Sequence, residues 1–186
     1  MRKTLSLVVI FQVFFLFLFQ SASFGQGPSA EDLRGQMVKD WERAKAYTID
    51  YLNTMPAGKY NFKPVDSIRS FANQMLHLAG GNVMLMSSAA GIAPAPWLSM
   101  TLETRPSAQN KDSVMYYVSS SYDYCIAAVK GFDMGKWAET QKMFGAFEVN
   151  RWALLNKVFE HQTHHRGQTT IYIRLVGVKP PQERLF

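Results

Sequence analysis

The 186-residue chain has one cysteine, Cys125, four histidines and no long run of like charge. A single cysteine excludes an internal disulfide, and none lies near the N-terminus to accept a lipid anchor. Charged residues make up 18% of the chain, fewer than in an average soluble protein. The formal charge is +6, but Arg2 and Lys3 belong to an apolar leader; without them 18 basic residues face 14 acidic ones. The basic residues are scattered, which excludes a nucleic-acid tract as partner and describes a solvated surface. After the leader there is no internal repeat and no low-complexity segment. No alternating strand pattern is evident, so the fold class expected is all-α.

The leader combines basic Arg2 and Lys3, an apolar stretch from Leu5 to Phe19, and the small-residue segment Ser21-Ala22-Ser23-Phe24-Gly25. That is the layout of a secretory signal peptide. Gln12 interrupts the apolar stretch, which falls short of the roughly 20 residues a spanning helix needs. Residues 1–25 are therefore expected to be cleaved, at Gly25 or a residue or two earlier. Residues 26–186 form one domain, exported to the periplasm or medium without stable membrane insertion.

Four helices are expected in that domain. Ser29-Ala30-Glu31-Asp32 reads as a capped start, and Leu33, Met37, Trp41, Ala44, Tyr51, Leu52 and Met55 follow at helical spacing before Pro56 and Gly58 end the run. The loop from Pro56 to Asp66 carries Tyr60 and Phe62, which should pack back onto the bundle. The second helix starts between Ser67 and Ser70 and reaches about Ala90. It contains His77, then Gly80-Gly81, a pair that weakens a helix but lets another group come close. Met75, Met84 and Met86 are expected as core filler. Gly91 to Asn110 is a long connection that either covers a site or runs the length of a bundle. The third helix spans Lys111 to Lys130, with Cys125 on its apolar face as an inert buried thiol. A glycine-punctuated connection follows, with a short helical turn expected around Lys136 to Lys142. Asn150 caps the last helix, which runs to Val176 ahead of Gly177 and Pro180-Pro181.

Three of the four histidines fall in Glu160-His161-Gln162-Thr163-His164-His165-Arg166-Gly167-Gln168. His161 and His165 are one helical turn apart on the face shared by Leu154, Val158, Tyr172 and Val176, so both point into the bundle. Buried imidazoles must hydrogen-bond or bind a metal. With His77 on a second helix, the three suit zinc or nickel first, with iron or manganese also compatible, and leave a position for water or substrate. Taken alone, an H-x-x-x-H pair is more often structural than metal-binding.

The order of these pieces resembles the DinB family. The resemblance rests on Trp41 and Met55-Pro56, Phe62-Lys63-Pro64, Ile68-Arg69-Ser70 before Leu76-His77, and His161-x-x-x-His165-Arg166-Gly167-Gln168 with Tyr172-Ile173-Arg174. It implies a four-helix bundle with long crossover loops and a divalent metal held by His77, His161 and His165. It also implies thiol-dependent transfer. Because thiol cofactors are scarce outside the cytoplasm and a metal-bound water needs no cofactor, metal-dependent hydrolysis of an unknown small-molecule substrate is a comparable expectation. Gln168 could orient a ligand from the next shell outward. Arg166 is expected in an ion pair on the bundle surface, and His164 at the edge of the site or exposed. Glu160 does not sit where the glutamate of an H-E-x-x-H protease helix would. The alternatives are a non-catalytic metal-binding bundle and a bundle whose histidines are only hydrogen-bonded. A homodimer is compatible with such a bundle, though no stripe marks its interface.

Overall fold

A computed structural model describes residues 27–186. The expected leader lies outside the described residues. The helices are α1 (Ala30–Thr54), α2 (Phe71–Ala90), α3 (Lys111–Gly131) and α4 (Arg151–Leu175). Each begins at a polar side chain that accepts a hydrogen bond from a first-turn amide: Ser29, Ser70, Asn110 and Asn150. These caps satisfy donors that a helix start otherwise leaves unpaired. Ser29 and Asp32 reciprocate in a full capping box, Asp32 N to Ser29 Oγ at 3.1 Å and Ser29 N to Asp32 Oδ2 at 3.0 Å. Among the described residues, no helix is long and apolar enough to cross a membrane.

Around the bundle the order is α1–α3–α2–α4, with α4 closing back onto α1. α2 and α3 run parallel: Asn82 Nδ2 donates to Ser121 Oγ at 3.2 Å, and further along Tyr124 Oη donates to the carbonyl of Ala93 at 2.7 Å. α1 and α4 run parallel to each other in the opposite sense, with Trp41 against Phe159 and Tyr51 Oη 2.8 Å from Thr170 Oγ1. Parallel neighbours explain the long Gly91–Asn110 connection, because the chain must travel back along α2 before α3 can start. The loop after α1 is pinned by Tyr60, whose hydroxyl donates to the Leu52 carbonyl at 2.8 Å. The carbonyls of Tyr60 and Phe62 in turn accept from Ala72 N and Phe71 N.

The core is centred on Trp41, fully buried and meeting Tyr122 and Phe159 edge-on. Met75 and Met86 are buried as core filler, whereas Met84 is 42% exposed, one helical position off the packed face. Cys125 is buried and burial pushes its thiol up, so it stays protonated and inert.

The connection before α4 differs from expectation. In place of a helical turn over Lys136 to Lys142, a single 3₁₀ turn (Met134–Lys136) leads into a hairpin of β1 (Thr140–Met143) and β2 (Phe147–Asn150). Thr140 pairs with Asn150 and Met143 with Phe147. Strands of four residues are too short to set up a period, and only Met143 of the eight residues is buried.

Candidate metal centre

His77 on α2 and His161 and His165 on α4 converge across the seam between these antiparallel helices. One imidazole nitrogen from each lies within 4.8 Å of the other two. Ring centroids are 4.4 Å apart for His77 and His165, 4.3 Å for His161 and His165, and 5.4 Å for His77 and His161. Ligands of a tetrahedral ion bound at about 2.0–2.1 Å sit roughly 3.4 Å apart, so a small rotation of the rings would close the set.

Glycine makes the approach possible. A methyl group on Gly81 would lie 2.1 Å from His161 Cε1, whereas one on Gly80 would meet nothing nearer than Leu98 Cδ1 at 3.9 Å. The room offered by the glycine pair is therefore used at one of its two positions, and its occupant is the imidazole of His161.

Two of the rings are held from behind. His77 Nδ1 lies 2.5 Å from Glu103 Oε1, and Arg69 Nε donates to the other oxygen of Glu103 at 2.8 Å. Arg69 Nη2 is also 3.2 Å from His77 Nδ1. A carboxylate can only accept and a guanidinium only donate, so the closer Glu103 contact requires a proton on Nδ1. That leaves Nε2 of His77 as the free lone pair. Burial alone would raise the Glu103 carboxyl, but the hydrogen bonds from Arg69 and His77 outweigh it and hold it below its usual range. His165 Nδ1 is 2.7 Å from the buried amide of Gln74, which also meets Gln168; Gln168 reaches His164 Nε2 at 2.9 Å. With the amide nitrogen of Gln74 towards the ring, the His165 proton sits on Nε2. A half-turn of that amide moves it to Nδ1 and frees Nε2 for a ligand.

His161 has no such partner. Its Nδ1 is buried without a hydrogen bond among the described residues, an arrangement that costs free energy unless a bound group satisfies the ring. Burial, then the neighbouring imidazoles, push His161 down to about 4 and His165 to about 3. Both are therefore neutral at pH 7, the form in which imidazole binds a metal. Two buried polar nitrogens and a third anchored by a carboxylate, with the nearby Arg69 guanidinium paired to that same carboxylate, fit a divalent cation.

The depressed values set a pH dependence. Unfolded histidines titrate near 6.5, so the unfolded chain binds more protons below that pH and stability falls as pH drops from about 6.5 towards 4. Chelator-treated protein should melt at progressively lower temperature between pH 7 and pH 5. A variant with asparagine at His161 and His165 should lose most of that slope.

Sequence reasoning missed Glu103 and Gln74. Glu103 lies 26 residues from His77 in a loop, where no spacing rule reaches it. Gln74 could have been found, because it precedes His77 by three residues and shares its helix face. Gln168 is tied to the site through Gln74. His164 is exposed, within the range expected for it. Arg166 corrects the expected surface ion pair. It is 6% exposed, donates to Gln162 Oε1 at 2.9 Å, lies 4.7 Å over the Tyr47 ring, and makes no salt bridge among the described residues.

Two clefts flank the seam. One, of about 490 Å³, lies between the hairpin and α4 and is walled by His161 and His164. The other, of about 790 Å³, is more polar and is lined by Arg69, Gln74, Glu103 and Gln168.

The DinB family model matches residues 28–184. No curated protein matches the chain. Among solved structures, a DinB-like protein from Bacillus cereus superposes with a TM-score of 0.67 at 14% identity, over 79% of this chain and 95% of that one. A conserved protein from Enterococcus faecalis gives a TM-score of 0.63 at 17% identity, covering 76% and 95%. A DinB-like protein from Bacillus subtilis gives 0.62 at 17% identity, covering 81% and 96%. These likenesses establish the shared bundle. With a family match running from the first helix cap to the residues beyond α4, the chain belongs to the DinB family.

Proposed function

We propose that this is an exported, divalent-metal-dependent enzyme in which His77, His161 and His165 hold the ion, acting as a hydrolase or a thiol-dependent transferase on a small molecule. One observation carries the reading. Three imidazole nitrogens lie within 4.8 Å of one another, with a cleft on either side of the seam. Three protein ligands leave a coordination position free, and the cleft walled by His161 gives substrate a way towards it; a sealed, saturated site would suit a storage or scaffold role better. When bound, a divalent ion polarises a water or thiol held beside it and yields a nucleophile near neutral pH. The protein's own groups do the positioning. Glu103 keeps the proton of His77 on Nδ1, Gln74 fixes the His165 ring, and Gly81 admits the ring of His161. Hydrolysis needs no second cofactor and suits an exported protein, so it leads.

Chelation should abolish turnover of the responsive substrates in an ester, amide and thiol-transfer panel, and added zinc or nickel should restore it. Activity indifferent to chelation would remove the reading. Glu103→Gln should weaken zinc binding about 10- to 100-fold in a chelator competition titration, because the neutral amide holds His77 less firmly. Its melting temperature should change little, since Glu103 is partly exposed.

A further inference from the structure

The hairpin breaks a local rule at the place where it faces the metal seam. Ala146 N donates to the Met143 carbonyl at 3.1 Å, closing a turn whose two central residues, Phe144 and Gly145, have φ of +51° and +71°. Turns with two left-handed central residues favour asparagine or aspartate followed by glycine. Gly145 obeys that preference, but Phe144 is a bulky aromatic in a region such residues rarely enter. Packing does not explain the choice, because Phe144 is 70% exposed and Phe147, at the end of the paired ladder, is 63% exposed. Both rings line the cleft of about 490 Å³ that also contains Met143, Leu85 and Leu154. His161, one of the three clustered histidines, forms part of the same wall. Departures from local preference without a folding gain concentrate at functional sites.

We propose that this cleft is the substrate subsite for an uncharged apolar body, a phenyl ring or an alkyl chain of about six to eight carbons, whose polar group is presented to the histidine cluster. The proposal rests on the metal-dependent reading above and adds the class of substrate. The volume falls in the range of small-molecule sites. The surface is mainly apolar, contributed by the hairpin and by Leu85 and Leu154 on the flanking helices, and its polar lining residues, Lys157, Glu160, His161 and His164, all come from α4. A ligand with one apolar end and one metal-seeking end suits a cleft that joins the exposed aromatics of the hairpin to one of the clustered histidines.

The test uses zinc-loaded protein and straight-chain hydroxamates, from acetohydroxamate to decanohydroxamate, titrated calorimetrically. Affinity should rise about threefold per methylene until the cleft is filled, near eight carbons, and then level off. Phe144→Ala/Phe147→Ala should flatten that series and leave acetohydroxamate within about twofold. Acetohydroxamate binding with no gain from longer tails would overturn the subsite while leaving the metal reading intact. Should the protein take up no zinc, the metal reading fails; in that case, or if zinc is held but no hydroxamate reaches it, a series of n-alcohols from hexanol to decanol reads the cleft alone. Saturable one-to-one binding lost in the double variant supports the subsite, and its absence overturns it. Phe144→Asn should relieve the turn, raising Tm by about 2–4 °C, while losing the chain-length gain. A rise in Tm with the gain retained would overturn the link between the strained turn and binding. Sedimentation with phosphatidylglycerol vesicles that depends on both phenylalanines, together with a flat hydroxamate series, would reassign the tip to a membrane surface.

Discussion

Gly81→Ala should separate stability from metal binding. In an ordinary helix interior, alanine in place of glycine gains about 1 kcal/mol, through lower chain entropy in the unfolded state and a better helix propensity. At Gly81 the added methyl would lie 2.1 Å from His161 Cε1 and under 3.0 Å from both ring nitrogens. The ring is the end of a movable side chain, so it turns aside and the helix survives. The expected result is a protein that melts at or slightly above the parent temperature and binds zinc at least about 100-fold more weakly, having lost one of the three proposed ligands. Gly80→Ala is the control. Its methyl would meet only Leu98 Cδ1 at 3.9 Å, so it should stabilise the fold and leave zinc affinity unchanged. Equal zinc affinity in both variants would show that His161 is not a ligand.

Arg166→Ala should give the largest loss of stability among substitutions near the site, about 2–4 kcal/mol, or a drop in Tm on the order of 10 °C. Arg166 is buried between α4 and α1. Its guanidinium donates to Gln162 Oε1, which also accepts from Tyr122 Oη at 2.7 Å; Tyr122 is in turn 2.7 Å from Thr48 Oγ1. Its plane covers Tyr47 at 4.7 Å. Alanine would leave a void beside Tyr47 and remove a charged donor from this network. Arg166→Met separates these contributions. The unbranched stem of methionine fills the void, Tyr122 still serves Gln162, and no buried charge has to be compensated. Because buried charges are commonly no better than well-packed apolar groups, the methionine variant should lie within about 1 kcal/mol of the parent. If it is as unstable as alanine, the positive charge itself is required.

Arg166 also shows where sequence reasoning stops. A single apolar stripe on α4 places His161 and His165 inward but says nothing of a second buried side. α4 touches both α2 and α1, so its buried residues include Gln162, Arg166 and Thr169 as well as Leu154, Val158 and His165. A helix with two packed faces gives a broad periodicity, and an arginine between those faces reads as exposed. The helices themselves were legible because each carries its own punctuation: Ser29 and Asp32 at one start, Asn150 at another, and Gly177 at φ +82° just past the last. The hairpin was not, because four-residue strands held mainly by pairing with each other leave almost no buried alternation. Within the site, the one-turn spacing of His161 and His165 and the glycines beside His77 are local signals and could be read. Glu103 reaches His77 only because parallel α2 and α3 force the intervening loop back along the bundle, a consequence of topology.

The most direct test is the metal content of the purified protein, measured by inductively coupled plasma mass spectrometry beside a His161→Ala/His165→Ala variant. The account predicts near-stoichiometric divalent metal in the parent and none in the variant, with both folded by circular dichroism. A parent that remains metal-free after incubation with zinc, nickel and manganese would contradict it, and the three histidines would then be polar core residues without an ion to hold.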